Sequence, residues 1–238
     1  MTRYLISDLH LAPERPELLA ALEGFCADKL TSGDQLYILG DLFEAWIGDD
    51  DPSPLACAVK TLLRDLGRRG VACFVQLGNR DFMLGKRFAR ESGCTLLGDY
   101  AQLDDPAGPI LLTHGDLLCT DDIDYQRFRR KSRHPLYRFM LGHLPLRFRQ
   151  RLATNWRAKS RAASANKPAA IMDVNDATVA AVMAEHGVAR LIHGHTHRPN
   201  THQHGTKTRY VLGDWGDYGW YIALENGAIN LEKFAISP

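Results

Sequence analysis

The first hundred residues alternate short apolar runs with longer amphipathic stretches, and this alternation limits the possible folds more than any other feature. Residues 15–30 and 54–69 place apolar side chains at helical spacing. The runs between and after them have the length and the β-branched and aromatic content of strands. Alternating strands and helices predict βαβ units, and therefore an α/β sheet covered by helices. The predicted strands are residues 3–8, 35–40, 71–77, 94–103 and 109–114.

The second half of the chain resumes this pattern after a basic segment. A helix is predicted from about Asp173, taken as its N-cap, to Gly187, which follows its end. An apolar strand at residues 189–193 comes next, and Asn226-Gly227 separates two alternating runs as the turn of a β-hairpin does. The chain is therefore expected to return to the sheet after an interruption.

Length and cysteine usage limit the organisation of the chain. With 238 residues, 45% of them hydrophobic, it can form one large core. We expect one main domain of residues 1–120 and 169–238, interrupted by an insertion at residues 121–168. The five cysteines are scattered without a Cys-x-x-Cys pair, which argues against a disulfide framework or a thiolate zinc site and fits a reducing compartment. No signal-peptide pattern or apolar run of about 18 residues is present, so a soluble or peripheral protein is expected.

The insertion carries a strong local charge. Between Arg127 and Lys167 there are 13 Lys or Arg residues and no Asp or Glu, although the net charge of the chain is only +1. Such a block predicts contact with an anionic partner. Large apolar residues are interspersed over 125–156, which predicts two amphipathic helices separated near Leu144-Pro145. An ordinary helical hairpin packed on the core would account for the apolar residues but not for the absent acids.

Five polar motifs stand where predicted strands end. Each supplies a carboxylate, an amide or an imidazole, and these oxygen and nitrogen donors suit Mn, Zn or Fe. Because ligands of open α/β folds gather at the carboxyl ends of strands, these side chains are expected to meet. Side chains alternate along extended backbone, so both members of an Asp-x-His or His-x-His pair should point to one side. The motifs are Ser7-Asp8-Leu9-His10, Gly40-Asp41, Gly78-Asn79, Thr113-His114-Gly115-Asp116 and Gly194-His195-Thr196-His197.

Several residues near these motifs admit more than one interpretation. The flanking glycines fit tight turns and close approach of the backbone to a bound ion or phosphate. Asp81 and Asp116 either orient an imidazole or guanidinium group or are ordinary turn aspartates. His193 could share a face with His195, although a supporting role is not favoured. The remaining acidic run is expected to be a solvated loop and the remaining histidines surface residues: Asp49, Asp50 and Asp51, and His134, His143, His186, His202 and His204.

The order of the five motifs, over residues 7–197, resembles that of the calcineurin-like metallophosphoesterases. The resemblance implies a four-layer α/β/β/α sandwich and two metal ions per chain, expected to be Mn²⁺. Two such ions ~3.5–4 Å apart polarise one water into hydroxide and neutralise phosphoryl oxygens, so no side-chain nucleophile is needed. The implied ligands are Asp8, His10, Asp41 and His197 for one ion and Asp41, Asn79, His114 and His195 for the other, with Asp41 bridging.

Arg80 departs from the usual family pattern, in which Gly-Asn is followed by a histidine that can protonate a departing alkoxide. A guanidinium has a pKa above ~12 and cannot act as a general acid, but it binds phosphate well. The leaving group should then need charge neutralisation, as the phosphate released from a pyrophosphate does. An arginine that merely faces solvent after a turn is the alternative. The predicted catalytic residues are Arg80, Asp41, Asn79 and His114.

One branch of the family carries the same Gly-Asn-Arg-Asp turn, and the resemblance extends along the whole chain, supported by residues 4–11, 40–50 and 114–122. Members of that branch cleave the pyrophosphate of a diacylated UDP-sugar to UMP and lipid X in lipid A synthesis. The resemblance implies a peripheral protein on the cytoplasmic face of the bacterial inner membrane, whose insertion holds acyl chains and faces anionic headgroups. No nucleic acid and no obligate protein partner is expected. The implied substrate contacts are Asn79, Arg80, Asp122, Ser160, Ser164, Lys167 and His195.

Two alternatives remain open. A nuclease of the same superfamily would use the basic insertion to bind DNA phosphates, although Arg80 and the aliphatic residues of the insertion disfavour it. A scaffold that keeps the fold with a degenerate site is the second alternative, and the intact set of seven candidate ligands argues against it.

Overall fold

The computed structural model describes residues 1–165 and 171–237, with the backbone alone for residues 158–165. Seven α-helices lie within these ranges: α1 (Pro16–Lys29), α2 (Pro54–Arg68), α3 (Lys86–Ser92), α4 (Ile123–Arg133), α5 (Pro135–His143), α6 (Leu146–Ala165) and α7 (Asp176–Glu185). The strands are β1 (Arg3–Ile6), β2 (Gln35–Leu39), β3 (Ala72–Gln76), β4 (Thr95–Leu96), β5 (Tyr100–Leu103), β6 (Ile110–Thr113), β7 (Arg190–His193), β8 (Asn200–His204), β9 (Lys207–Val211), β10 (Tyr218–Glu225) and β11 (Ala228–Ala235).

The strands form two sheets. The first has the order β11-β10-β1-β2-β3-β4, in which β1 to β4 are parallel and β10 and β11 pair antiparallel. The second has the order β5-β6-β7-β9-β8, with β6, β7 and β9 parallel and an antiparallel strand at each edge. The parallel strands in the middle of each sheet are those that lead into the polar motifs.

Side-chain alternation assembles four layers. Ile6 is fully buried in a cluster with the apolar faces of α1 and α2, whereas its neighbour Leu5 lies in the cluster between the two sheets. In the second sheet Leu112 joins that inner cluster, and Leu111 packs with Met183 of α7 on the outer face. Each fully buried aliphatic side chain of this kind contributes about 1.5–3 kcal/mol. The predicted α/β/β/α sandwich is confirmed.

The predicted strand at residues 94–103 is wrong, because two short strands in different sheets replace it. β4 pairs with β3 in the first sheet, and β5 pairs with β6 in the second. The chain crosses between the sheets at Gly98, whose carbonyl oxygen accepts a hydrogen bond of 2.9 Å from Nε2 of Gln76. The same nitrogen lies 3.2 Å from the carbonyl oxygen of Leu112, so one buried amide bridges both sheets. Gly98-Asp99 interrupts the predicted strand at this crossing, but a local turn does not reveal that the two halves belong to different sheets.

Two predicted turns can be compared directly with the structure. The N-cap of α7 is Asn175, whose Oδ1 accepts from the backbone N–H of Thr178 at 3.0 Å, so the prediction of Asp173 was wrong by two residues. The hairpin is confirmed, since a two-residue turn joins β10 to β11. Its residues Asn226 (φ 48°) and Gly227 (φ 84°) both adopt the left-handed backbone that a type I′ turn requires.

The basic insertion contains three helices rather than the predicted two, since α4 and α5 precede the long α6. The predicted break near Leu144-Pro145 is present, but a second break falls at His134-Pro135. Pro135 occupies the first turn of α5, where its missing N–H costs nothing, and it ends α4 at the preceding residues. We refer to α4, α5 and α6 as the cap helices.

The acidic run at residues 49–51 is a loop in which Asp50 is exposed, as predicted, but the prediction that the run is solvated was wrong for Asp49. The Asp49 carboxylate accepts from the backbone N–H groups of Gly85 (3.0 Å) and Phe88 (3.0 Å), at the start of α3. Asp50 forms an ion pair with Arg149 of α6. Both carboxylates therefore hold the loop in place.

Candidate metal centre

The five motifs converge as predicted at the carboxyl ends of parallel strands. Asp8 and His10 follow β1, Asp41 follows β2 and Asn79 follows β3, and these strands are neighbours in the first sheet. The second sheet supplies the remaining three side chains across the interface, after β6 and β7: His114, His195 and His197. The structure brings all seven candidate ligands together.

The first group of donors is Asp8, His10 and His197, which each offer one atom within 4.8 Å of the others. Nε2 of His10 lies 3.3 Å from Nε2 of His197, and Nε2 of His197 lies 3.3 Å from Oδ1 of Asp8. Oδ2 of Asp41 is 3.8 Å from Nε2 of His10. Two imidazoles and two carboxylates thus face one point.

The second group is arranged around the amide of Asn79. Its Oδ1 lies 3.0 Å from Nε2 of His114 and 2.9 Å from Nδ1 of His195. Oδ1 of Asp41 is 3.8 Å from Nε2 of His114. The two oxygens of Asp41 therefore face different donor groups, which is the geometry a bridging carboxylate needs.

The backbone of the motifs is not extended, so the alternation argument for paired ligands was wrong. Asp8 (φ 56°), His10 (φ 49°), Asp41 (φ 51°), His195 (φ 68°) and His197 (φ 55°) all adopt the left-handed region. Non-glycine residues rarely do so, and each such residue costs of order 1 kcal/mol or more. Tight left-handed turns after the strands, rather than the pleat of the strands, turn these side chains inward.

Two of the motif glycines are required by close approach, although to carboxylate side chains rather than to the bound ion or phosphate that the sequence suggested. A Cβ on Gly78 would lie 2.1 Å from Oδ1 of Asp41, and one on Gly194 would lie 2.2 Å from Oδ2 of Asp8. Any side chain at these positions would displace a candidate ligand. The turns that carry Asn79 and His195 can therefore pack directly against the two carboxylates.

The donor set fits divalent cations. Oδ2 of Asp8 accepts from Ser7 Oγ at 2.6 Å and from the backbone N–H of His195 at 2.8 Å, whereas its Oδ1 is buried with no hydrogen-bond partner in the described part of the chain. A buried carboxylate oxygen left in this way and surrounded by imidazole nitrogens is suited to a cation. The oxygen and nitrogen donors match Mn, Zn or Fe and the carboxylate fits a charge of +2.

Electrostatics at the centre favour an ionised carboxylate at Asp8 and raise the pKa of three of the four imidazoles, those of His10, His114 and His197. The exception is His195, whose pKa is lowered to about 4 by burial and by the charge of His114. Burial by itself raises the pKa of Asp8, but the neighbouring His197, His114 and His10 outweigh it and hold that pKa well below its usual range. Burial by itself lowers the pKa of His197, but Asp214 and Asp8 raise it to about 10. The ionised carboxylates of this centre therefore attract cations.

Outer contacts that the sequence did not reveal fix three imidazoles. Nδ1 of His10 lies 3.1 Å from Oε2 of Glu44, and Nδ1 of His197 lies 3.4 Å from Oδ2 of Asp214. Nδ1 of His114 is 2.8 Å from the backbone oxygen of Leu39. In each case the contact places the proton on Nδ1 and leaves Nε2 free to face the centre. Glu44 and Asp214 lie in loops outside the five motifs, so spacing alone could not identify them.

The carboxylate of Asp81 binds backbone N–H groups rather than the imidazole or guanidinium groups considered from sequence. Its Oδ1 accepts from the N–H of Gly78 at 2.7 Å, and its Oδ2 accepts from the N–H of Leu42 at 2.8 Å. Burial and the nearby charge of Asp41 raise the pKa of Asp81 to about 6. This carboxylate ties together the turns that carry Asp41 and Asn79.

Asp116 binds a guanidinium, as one of its two predicted roles required, and that contact comes from a cap helix. Its Oδ2 accepts from Nε of Arg129 at 2.7 Å and from the hydroxyl of Tyr125 at 2.6 Å. One turn further along α4, Nη2 of Arg133 donates to the backbone oxygen of Gly78 at 2.9 Å. No motif marked these three α4 residues as functional, although their spacing of four places them on one helical face.

A cavity of about 440 Å³ opens beside the centre, between the sandwich and the cap helices. Asn79, Arg80 and Asp122 line its polar end. Nε of Arg80 and Nε of Arg157 are buried without a hydrogen-bond partner among the described residues. The rest of the lining is mainly apolar: Trp46, Ile47, Phe82, Met83, Phe128, Leu141, Leu152, Ala153 and Trp156.

The remaining residues considered from sequence differ in their positions. His195 lies between the centre and α4, its ring centroid 5.8 Å from that of Tyr125. Lys167 and the side chains of Ser160 and Ser164 lie outside the described residues. His193 is fully buried and faces Arg209, with Nε2 3.2 Å from Nη1, and so takes no part in the centre. His134 and His143 are exposed, and His186, His202 and His204 are half-buried.

Known proteins resemble this chain in family and in sequence. The profile of the family described as calcineurin-like phosphoesterase matches residues 1–199. A relative from Azotobacter vinelandii named UDP-2,3-diacylglucosamine hydrolase is 45% identical over 240 residues, which cover 99% of this chain and 100% of that protein. A relative of the same name from Pseudomonas syringae pv. tomato is 47% identical over 238 residues, covering 98% and 96% respectively.

The fold is also found among solved structures. One described as a novel archaeal phosphodiesterase superposes with a TM-score of 0.51 at 11% identity, covering 99% of this chain and 99% of that chain. At so low an identity the likeness extends to the fold alone.

Proposed function

This chain belongs to the calcineurin-like phosphoesterase family, and from that premise we propose that it hydrolyses UDP-2,3-diacylglucosamine. The products would be UMP and 2,3-diacylglucosamine 1-phosphate (lipid X), and the reaction is a step of lipid A biosynthesis. The main support is the name shared by relatives that are 45% and 47% identical over nearly the whole chain. The site adds independent support, since it combines a candidate cation centre, two guanidinium groups whose Nε atoms are buried, and an apolar cavity.

Divalent metal binding follows from the family, and we propose two Mn²⁺ ions per chain. When bound, such ions supply a water activated as hydroxide and neutralise phosphoryl oxygens. Asp8, His10 and His197 would hold one ion together with Asp41. Asn79, His114 and His195 would hold the other, with Asp41 shared between the two sets.

Arg80 is proposed to bind the pyrophosphate. Its backbone N–H donates to Oδ1 of Asp41 at 2.8 Å, which fixes the residue beside the shared carboxylate. Its buried Nε, and that of Arg157 across the cavity, have hydrogen-bonding capacity unused among the described residues. A guanidinium cannot protonate a leaving group but can stabilise one that departs as a phosphate. This arrangement suits an anhydride better than a simple ester.

The cavity is proposed to hold the acyl chains, with the sugar at its polar end. Phe82, Phe128 and Trp156 form a continuous aromatic wall, with ring centroids 6.1 to 6.4 Å apart. Phe128 and Trp156 come from the cap helices, so we assign residues 121–168 to a substrate-binding cap and residues 1–120 and 169–238 to the catalytic domain. Asn79, Arg80, Asp122 and His195 would contact the sugar nucleotide, and we extend that proposal to Ser160, Ser164 and Lys167.

We place the protein at the cytoplasmic face of the bacterial inner membrane, because its acylated substrate is a membrane lipid. No described helix is long and apolar enough to cross a bilayer. Leu136, Phe139 and Met140 of α5 expose 60%, 62% and 61% of their surfaces, within the segment that has 13 basic and no acidic residues. Exposed apolar side chains among basic ones are typical of surfaces that lie on anionic lipid.

The proposal is tested by substrate choice. Protein reconstituted with Mn²⁺ is incubated with UDP-2,3-diacylglucosamine, with UDP-glucosamine and with single-stranded DNA. Release of UMP from the acylated substrate alone supports the proposal. Cleavage of DNA would indicate a nuclease instead, and absence of turnover on all three would indicate a non-catalytic scaffold.

A further inference from the structure

A second cleft, of about 700 Å³, lies between α3 and the cap helices. None of the seven candidate metal ligands lines it. It shares Met83 and Arg149 with the acyl cavity and opens on the side of α5. We call it the basic cleft, because five cationic side chains line it: Lys86, Arg87, Arg133, Arg138 and Arg149.

The two carboxylates of the basic cleft are already committed. Asp49 accepts from backbone N–H groups at the start of α3, at 3.0 Å from both Gly85 and Phe88. Asp50 is paired with Arg149. Outside the lining, Glu91 pairs with Arg87 at 2.6 Å. Three of the five cationic side chains therefore have no carboxylate partner among the described residues: Lys86, Arg133 and Arg138.

Arg133 and Arg138 show this imbalance most clearly. Arg138 donates from Nη2 to the backbone oxygen of Leu84 at 2.7 Å, and Arg133 donates to that of Gly78. Within the described residues, no carboxylate lies within ion-pair distance of either guanidinium or of the exposed Lys86. Burial and the charge of Arg133 lower the pKa of Arg138, as expected for like charges held together. A bound anion would relieve this repulsion.

The rim of the basic cleft indicates which anion fits. Phe139 lines the basic cleft, and it lies on the same helix as the exposed Leu136 and Met140. A free phosphate or nucleotide needs no exposed apolar side chains beside its site. A lipid supplies a charged headgroup and an apolar layer next to each other, so its chemistry matches both parts of the surface.

We propose that the basic cleft binds the phosphate of an anionic lipid headgroup, through Arg138, Lys86 and Arg133, while Phe139 and its apolar neighbours enter the acyl layer. This inference rests on the proposed membrane association but not on the hydrolytic reaction. Because the basic cleft adjoins the acyl cavity, a headgroup bound there would place the cavity at the membrane surface.

Two double variants with equal loss of charge test the proposal. Lys86→Gln with Arg138→Gln alters the basic cleft, on α3 and α5. Arg90→Gln with Arg130→Gln, on α3 and α4, removes two exposed charges that do not line the basic cleft. Binding to phosphatidylcholine vesicles with about one quarter phosphatidylglycerol is measured by sedimentation without substrate. We expect the cleft variant to bind about 10-fold more weakly than the unaltered chain, and the control to lose about 3-fold or less. Equal losses, or no loss in the cleft variant, would overturn the proposal.

Three further measurements complete the test. Lys86→Gln alone, at an exposed side chain, should show part of the loss of vesicle affinity even if the Arg138 variant does not fold. An unchanged affinity would count against the basic cleft.

Vesicles with the same surface charge supplied by oleate should bind the protein more weakly than phosphatidylglycerol vesicles do, and equal binding would refute phosphate recognition. Free glycerol 3-phosphate should bind only with a Kd of about 1 mM or weaker; tight binding would assign the site to a soluble anion instead. Hydrolysis of detergent-dispersed substrate is assayed separately. A failure of the lipid-binding proposal can therefore be distinguished from a failure of the proposed hydrolytic function.

Discussion

Arg129 of α4 and Asp116, two residues beyond His114, form a buried ion pair with Nε and Oδ2 2.7 Å apart. The side chain of Arg129 is 9% exposed and that of Asp116 is 1% exposed. Burial by itself raises the pKa of Asp116, but the charges of His114 and Arg129 hold it well below its usual range. A cap helix is thus joined to the turn that carries a candidate metal ligand.

Removing the guanidinium should therefore affect both stability and turnover. In Arg129→Ala, Asp116 keeps the Tyr125 hydroxyl but loses its buried counter-charge, and we expect the free energy of unfolding to fall by about 3 kcal/mol. Urea denaturation measures this change, and turnover should fall with it. Arg130→Ala, at the next and exposed position, is the matched control. Equal stability of the two variants would show that the pair does not support the turn.

Glu44→Ala should weaken metal binding without altering a ligand. Glu44 lies 3.1 Å from Nδ1 of His10, and such outer partners typically contribute 10- to 100-fold to metal affinity. We expect the affinity for the more weakly bound Mn²⁺ to fall by about 10-fold or more, measured by titration with detection of free Mn²⁺ by electron paramagnetic resonance. Glu14→Ala, on an exposed neighbouring loop, should leave it unchanged. Identical titrations for both variants would contradict the role of Glu44.

Arg80→Ala should separate phosphate binding from metal binding. Loss of a fixed cation at the phosphate should lower kcat by about 10²- to 10³-fold. The backbone N–H that binds Asp41 remains, so metal content should stay near that of the unaltered chain. Arg80→Lys keeps the charge without the planar fork and should recover only part of the rate. Unaltered kinetics in Arg80→Ala would show that the guanidinium does not act on the substrate.

The raised pKa of His197 predicts a proton released on metal binding. In the metal-free protein, the stabilising contribution of the protonated imidazole is complete below about pH 6.5, its unfolded pKa, and is lost as pH rises through its folded pKa of about 10. A metal ion needs the neutral imidazole, so affinity should rise with pH across this window.

Isothermal titration calorimetry in buffers of different ionisation enthalpy counts the protons released. We expect about one more proton per chain at about pH 8 for the unaltered protein than for His197→Gln. The melting temperature of the chelated protein should fall over the same window, and this fall should be smaller in His197→Gln. Equal proton release by both proteins would refute the assignment.

Sequence patterns predicted the positions of the candidate ligands better than the way they converge. The strand ends are local features, and the donor residues that follow them could be read directly from the motifs. The left-handed backbone at Asp8 and His10 could not be predicted from the motifs. It depends on hydrogen bonds from the N–H groups of these residues to the backbone oxygens of Gly40 and Asp41 in another turn. Asn, Asp and His tolerate this conformation better than other side chains, which was the only local sign.

The supporting contacts were missed for a similar reason. Glu44 reaches His10 from 34 residues away, and Arg129 reaches Asp116 from a helix that the sequence marked only as basic. The charge of the insertion was read as contact with an external anion. Part of it instead binds the sandwich, through Arg129, Arg133 and Arg149. Net charge does not distinguish these two uses, because buried ion pairs depend on tertiary packing.

We propose that Asp41 bridges two catalytic cations, and Asp41→Ala removes that shared carboxylate. Metal content by mass spectrometry and UMP release from UDP-2,3-diacylglucosamine are measured on the same preparation, with Asp51→Ala in a surface loop as the control. We predict two metal ions per chain and full turnover in the control, and loss of at least one ion together with all detectable turnover in Asp41→Ala. Retention of two ions with near-normal UMP release in Asp41→Ala would show that no bridging carboxylate at this position is needed.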